Sequence, residues 1–289
     1  MKKIDSLVED IRAVLKDGVD TIPEDVSAEF QKSVKMLLER FVKENRKNEF
    51  VLRMSNYGQP ERQLWFNKHF PSKNKFEPEM YLKFLVGDIT EAVLLALAKL
   101  AGHDVSEQQS EVELEGIKGH LDAVIDGVVV DAKSASGWAF KNKFKNGQLK
   151  ENDTYGYIPQ VSGYNKAKNK DNGAAFLVYD KESSNICLLP IEQKDLIDPI
   201  ERIKHIKQVL DMPEPPEEKC YKLFKNKSGD WQLTAPCGWC PHKLRCYPKM
   251  KALRYASGDV FLPDGDRLVG AYKVEDVTNE YKTKEIDNG

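Results

Sequence analysis

No apolar run in the 289 residues approaches the length needed to span a bilayer, so the sequence offers no transmembrane helix and no membrane partner. Met1-Lys2-Lys3 opens like the basic start of a signal peptide, but Asp5, Glu9 and Asp10 interrupt the next turns of chain and leave no secretory apolar segment. An excess of either charge sign is also missing: 44 Lys and Arg stand against 46 Asp and Glu, a net charge of -2. Any contact with nucleic acid must therefore come from local patches and not from the whole field. There is no Gly-rich phosphate loop of Walker type, hence no sign of an ATP motor, and no internal repeat. Cysteine is scarce, with five in all and none before Cys187. Without a secretory signal these thiols point to a reducing, cytoplasmic compartment, where clustered cysteines bind metal more often than they pair. The remaining composition is ordinary for a soluble globular protein: 40% hydrophobic and 31% charged residues, and enough chain for a full core with extensions.

The most informative segment is Gly119-His120-Leu121-Asp122-Ala123-Val124-Ile125-Asp126-Gly127-Val128-Val129-Val130-Asp131-Ala132-Lys133. Two apolar runs flank Asp126-Gly127, a dipeptide that tolerates positive φ at both positions of a type I′ turn. A two-residue turn fixes the register: Ile125 pairs with Val128, Val124 with Val129, Ala123 with Val130 and Asp122 with Asp131. Opposed carboxylates repel one another. Asp131 and Lys133, two apart on a strand, point the same way, which sets the lysine beside the carboxylates and opposite His120. A solvent-facing amphipathic hairpin is the plain alternative, but Val128 to Val130 reads as a strand buried on both faces. Buried carboxylates without a partner cost several kcal/mol or neutralise by a raised pKa. A divalent cation removes the conflict, and hard oxygen donors with no His or Cys cage favour Mg²⁺ or Mn²⁺.

Helical spacing predicts two amphipathic N-terminal helices over residues 4–16 and 27–44, able to pack on the core or on a partner. A third, over 82–100, is closed by Gly102. Strands are expected at 174–179 and 186–189, the second ending at Pro190, and a helix at 197–210. Pro213-Glu214-Pro215-Pro216 marks a connector. From Asp264 onward the chain reads as a polar tail. The domain reading is 1–50, an N-terminal helical extension; 51–212, the core; 213–255, a four-cysteine region; and 256–289, the tail.

Glu91 is a candidate third metal ligand, although Asp88-Ile89-Thr90-Glu91 also fits a capping box with Asp88 as N-cap. Gln160 and Tyr164 share one face of an expected helix starting at Pro159, with Lys168 a turn further; together they could hold a nucleic-acid backbone and a terminal base, or form a solvated face. Lys141, Lys143 and Lys145, interleaved with Trp138, Phe140 and Phe144, suit phosphate contact and base stacking, or a charged surface loop. Cys237-Gly-Trp-Cys240-Pro-His-Lys-Leu-Arg-Cys246, with Cys220 upstream, satisfies either tetrahedral Zn²⁺ or a four-iron cluster, with His242 in reserve. Cys187, inside an apolar strand, reads as a small buried hydrophobe.

Taken in order, Asp122, then Asp131-Ala132-Lys133, then Gln160-x-x-x-Tyr164 resemble the PD-(D/E)xK nuclease superfamily in its RecB-like, CRISPR-associated-type exonuclease branch, over roughly residues 52–250. The resemblance implies an α/β fold, restriction-endonuclease-like, with a mixed central sheet flanked by helices and a C-terminal cysteine-bound metal or cluster subdomain. It also implies a catalytic centre of Asp122, Asp131 and Lys133, with Glu91 at a helix position where relatives carry His or Glu, and with Gln160 and Tyr164 as the branch's helical motif. Cys237, Cys240 and Cys246 match the C-terminal trio that holds a [4Fe-4S] cluster in several members. Where relatives carry an N-terminal cysteine, this chain reads Ser55-Asn56-Tyr57-Gly58-Gln59-Pro60-Glu61-Arg62, so Cys220 is taken as fourth ligand, with Zn²⁺ as the alternative ion.

The function expected is a Mg²⁺- or Mn²⁺-dependent DNA exonuclease of recombination, repair or phage DNA metabolism, acting on free ends in a bacterial or phage-infected cell. Glu91, Asp122, Asp131 and the Ala132 carbonyl would hold the ion. The competing expectations are a DNA-binding or assembly module recruiting a recombination or replication protein through the N-terminal helices, and a structure- or site-specific endonuclease.

Overall fold

The computed structural model describes residues 2–43, 49–71 and 78–286. Four helices come first: α1 (Leu7–Asp17), α2 (Glu24–Lys43), α3 (Glu61–His69) and α4 (Pro78–Leu100). Strands β1 (Val105–Ser106), β2 (Ser110–Leu114), β3 (Ile117–Leu121), β4 (Ala123–Ile125) and β5 (Val128–Ala135) come after them. Next are α5 (Gly137–Ala139), α6 (Tyr157–Ala167), β6 (Ala174–Asp180), β7 (Ile186–Ile191) and α7 (Pro199–Leu210). The chain divides into two units, and the division falls within α7: Met1–Arg46, Leu52–Gly58 and Phe76–His205 form the first, Lys47–Val51, Gln59–Lys75 and Ile206–Gly289 the second.

The first unit is built on a mixed sheet of order β1-β4-β5-β6-β7, in which β5 and β6 are parallel and the other pairs antiparallel. Asp126 (φ 49°) and Gly127 (φ 84°) close the β4–β5 hairpin, so both turn positions take the left-handed backbone that a type I′ turn requires. The crossover from β5 to β6 carries α5 and α6, as a parallel pair demands. Pro190 lies inside β7, opposite Ala175, and does not end it; β7 is an edge strand, where a missing N–H breaks no ladder.

Side chains alternate across this sheet. Val124, Val129, Phe176 and Val178 pack on one side with Val161 and Tyr164 of α6. Ala123, Ile125, Val130, Ala132, Ala175 and Leu177 pack on the other with Leu7 and Ile11 of α1 and Leu94, Leu95 and Ala98 of α4. The first N-terminal helix thus belongs to the core, since each fully buried Leu or Ile contributes about 1.5–3 kcal/mol. Helix α2 lies along α4, tied by the ion pairs Arg40–Asp88 and Glu29–Lys99. Residue 44, the expected end of its periodicity, lies outside the described residues.

Two local expectations change. Helix α4 begins at Pro78, ten residues before Asp88, so Asp88 is no N-cap and the capping-box reading of Glu91 falls. The lysine-aromatic stretch is no surface loop: Ser136 caps α5, which runs into a π-helical turn, Phe140–Lys145, with Phe140, Lys143 and Phe144 buried.

The second unit holds α3, the hairpin Phe224–Lys225 with Trp231–Gln232, two short helices (Ala235–Trp239 and Lys243–Cys246), and a three-stranded sheet. Its core gathers Leu233, Leu244, Met250, Ala252, Phe261 and Val277. The residues after Asp264 are more than a polar tail. Glu275–Asp276 pairs with Lys251–Tyr255, Val277 is buried, and the helix Thr278–Ile286 comes next, with Thr278 Oγ1 accepting from Ala252 N. Arg254 reaches both Asp259 and Glu280. The hairpin of Lys251–Tyr255 with Gly258–Leu262 also runs across the boundary expected at residue 255. Among the described residues no helix is long and apolar enough to cross a membrane.

Candidate active site

Strands β3 and β4 are consecutive, with only Asp122 between them, yet they belong to different sheets: β3 pairs with β2, β4 with β5. The β4–β5 ladder runs Ile125–Val128, Val124–Val129, Ala123–Val130 and stops there. Asp122 is therefore not a strand partner of Asp131. Its side chain leaves the ladder, and Oδ2 accepts the N–H of Ala132 at 2.8 Å, while its carbonyl accepts from Gln109 N. His120, expected opposite Lys133, instead pairs with Glu111 on β2.

Asp131 is 0% exposed, and Lys133 Nζ lies 2.5 Å from its Oδ2. Apart from this ion pair, both carboxylate oxygens of Asp131 are buried without a hydrogen-bond partner. Burial raises the Asp131 carboxyl above its ordinary range against the pull of Lys133. Asp122 is raised well above its usual value by burial, then by the fields of Asp131 and Glu91. Glu91, on α4, is pushed up to about 7 by burial, partly offset by a hydrogen bond from Gln109 Nε2, with Asp131 and Asp88 adding to the rise. Burial alone would lower Lys133, but Asp131 and Asp122 outweigh it and hold the ammonium above its normal range. Three carboxylates thus face one ammonium in a poorly solvated place, a deficit of positive charge.

The unpartnered Oδ1 of Asp131, the hard donors and the missing positive charge fit a divalent cation. Among the described residues no group of three or more His, Cys, Asp or Glu side chains converges on one point as a metal shell would. The agreement is in charge and donor type.

Helix α6 packs on the face of the sheet that carries Asp131 and Lys133. Gln160 Nε2 donates to Tyr164 OH at 3.3 Å, and both side chains are buried, so this is no solvated face. Burial raises the Tyr164 phenol, and Asp131 and Asp122 add to the rise. Tyr157, one turn before Gln160, is a residue that sequence reasoning missed. Its ring centroid is 5.2 Å from Lys133 Nζ, and burial lifts its phenol to about 12. The spacing of residues 157, 160 and 164 is the signal that could have found it, because i, i+3 and i+7 share a helix face. Asp153 and Gln109 were also missed: the first accepts from Tyr157 N and Ile158 N and caps α6, the second holds Glu91.

The lysines scatter. Lys141 and Lys145 are exposed, Lys143 is buried with Nζ donating to Thr154 Oγ1 at 3.0 Å, and Lys168 is paired with Glu107.

Cys220, Cys237, Cys240 and Cys246 all lie in the second unit as free thiols. Burial pushes Cys240 up to about 12, against the His242 N–H and with the fields of Cys246, Cys220 and Cys237 behind it. Cys220 rises to about 11 through burial, then Cys246. The four sulfurs therefore feel one another, though they too do not converge as a metal shell. His242 is buried, 2.9 Å from Asn67 Oδ1 and stacked on Phe66, and burial lowers it to about 4. Cys187 is half-buried in β7, its thiol raised to about 11 by burial.

No protein-family model matches the chain, and no curated protein does. Several solved structures are similar, two of them as follows. One is SSO0001, 13% identical over 78% of this chain and 98% of that one, with a TM-score of 0.41. The other is a phage-related exonuclease from Haemophilus somnus 129PT, 13% identical over 70% of this chain and 92% of that one, with a TM-score of 0.33. At these scores the likeness says nothing of this chain's activity.

Proposed function

We propose that this chain is a metal-dependent deoxyribonuclease of the PD-(D/E)xK, RecB-like kind, an exonuclease that hydrolyses phosphodiester bonds at DNA ends. The observation that carries the reading is Asp131, whose fully buried carboxylate has the Lys133 ammonium as its one partner, on Oδ2, with Asp122 and Glu91 within electrostatic reach. Asp122, Asp131, Glu91 and the Ala132 carbonyl would hold Mg²⁺ or Mn²⁺. When bound, such an ion polarises a phosphate oxygen and lowers the pKa of water.

Lys133 is held protonated by Asp131 and Asp122. In that protonated form it can orient the attacking water and balance charge on the phosphate as the ester P–O bond breaks. Tyr157, against its ammonium, restricts where Lys133 can point. Gln160 and Tyr164, both buried, would back the place where the terminal nucleotide lies. In the second unit, Cys220, Cys237, Cys240 and Cys246 would take a [4Fe-4S] cluster or Zn²⁺, since thiolates disfavoured by burial and by neighbouring sulfurs would gain from a thiophilic cation, and metal binding adds folding free energy.

The test compares wild type with Lys133→Ala on end-labelled linear and closed circular DNA, with and without Mn²⁺. Loss of linear DNA alone, dependent on Mn²⁺ and slowed about 100-fold or more by the substitution, is expected. Equal rates in the two proteins would overturn the assignment, and cutting of circles would replace an exonuclease by an endonuclease.

A further inference from the structure

Between the last 3-10 turn before α6, Lys150–Asn152, and the start of α6 stands Tyr155, half of whose surface (50%) is open to solvent. A half-exposed aromatic ring on a turn is unremarkable when the turn is loose. This one is pinned on both sides. On its N-terminal side Asp153 takes two N–H groups of α6, from Tyr157 and Ile158, both at 2.8 Å. On its C-terminal side Gly156 has φ 76° and lies against the backbone of Gly58, so closely that a Cβ there would fall 2.3 Å from Gly58 C. The ring is thus held in place before any ligand arrives, which lowers the ordering cost of binding.

Its neighbours define a direction. The Tyr155 and Tyr157 ring centroids are 5.7 Å apart, and Tyr157 in turn lies 5.2 Å from Lys133 Nζ. Tyr157 is backed by the buried rings of Phe144 and Phe176. On another side the Lys143 ammonium sits 5.2 Å from the Tyr155 centroid, fixed by its bond to Thr154. Aromatic rings therefore lead outward from the lysine of the candidate active site to an exposed ring that already has a cation against it.

We propose that Tyr155 is a base-stacking subsite for single-stranded DNA, receiving an unpaired base of the strand whose phosphate reaches Lys133. The inference deepens the nuclease reading and rests on it for the identity of the strand. An aromatic ring accepts any base on its open π-face, and the buried Lys143 ammonium holds this ring from one side, so the subsite is tolerant of sequence. It selects for bases that are unstacked, which makes single-stranded or frayed ends the substrate class.

The experiment measures binding of a fluorescein-labelled oligothymidylate in EDTA, where no cleavage can occur, for wild type, Tyr155→Leu, Tyr155→Phe and Lys133→Ala. The same oligomer with abasic residues serves as second probe, and circular dichroism confirms that each variant is folded. Tyr155→Leu is expected to weaken oligothymidylate binding about tenfold, Tyr155→Phe to restore it, and the abasic oligomer to bind wild type and Tyr155→Leu equally. Equal affinity of wild type and Tyr155→Leu for oligothymidylate overturns the proposal. So does a loss as large on the abasic probe, which would mark a purely structural role, and so does wild type that does not bind oligothymidylate. If Mn²⁺-dependent cleavage ignores Lys133→Ala while the base-dependent loss at Tyr155 persists, the nuclease reading fails and the stacking subsite stands.

Discussion

Replacing Glu91 by Gln should make the metal-free protein more stable at neutral pH, and by an amount that grows with pH. Burial raises the Glu91 carboxyl from 4.5 to about 7, and the carboxylates of Asp131 and Asp88 push in the same direction. A carboxyl whose folded pKa exceeds its unfolded value binds protons more tightly in the folded state. Its protonation therefore stabilises the fold at low pH, and that stabilisation is lost as pH rises from 4.5 through about 7. At about 1.36 kcal/mol per pKa unit the loss amounts to roughly 3 kcal/mol at pH 8. Gln keeps the shape and the acceptor oxygen facing Gln109 but carries no charge. Urea unfolding monitored by circular dichroism in EDTA, at pH 4.5, 6 and 8, reads the effect as the difference between wild type and variant: groups that do not feel Glu91 cancel, and the relief of Asp122 adds to the gain in the same direction. The variant should gain on wild type across this series, and Mn²⁺ should erase the gain, because a bound cation favours the ionised carboxylate. A difference that stays flat from pH 4.5 to 8 in EDTA would refute the charge deficit inferred for the site.

Gly156→Ala should lower thermal stability and weaken the site with it, because its φ of 76° is left-handed and the new Cβ would overlap Gly58 C at 2.3 Å. The cost should exceed about 1 kcal/mol, and a melting temperature equal to wild type would exclude the tight approach of the two glycines. Anaerobically purified protein should carry zinc or iron by elemental analysis, and Cys240→Ser should lose that metal together with thermal stability. Unchanged metal content in the variant would remove Cys240 from the proposed ligand set.

Much of the first unit is legible in local pattern. The apolar runs on either side of Asp126-Gly127 specify a two-residue hairpin, and the length of the turn sets the register of the pairs next to it. Helical spacing is equally local, which is why it locates α1, α4 and α6 within a few residues. Asp131 and Lys133 share a side because both lie on one strand, and Gln160 and Tyr164 because both lie on one helix. Whatever depends on elements distant in sequence escapes such a reading. The step of the chain from one sheet to another at Asp122 moves its carboxylate out of the ladder and onto Ala132 N, and nothing in Leu121-Asp122-Ala123 announces it. Glu91 is a poorly solvated carboxylate only because α4 packs against the sheet that carries Asp131, and Tyr157 meets Lys133 only because α6 covers the opposite side. Lys143 reads from sequence as a surface cation, yet the π-helical turn rotates it inward to Thr154. Short-range spacing determines which side chains share a face; burial, and with it the charge state of those side chains, is a property of what packs over that face, and only the tertiary structure decides it.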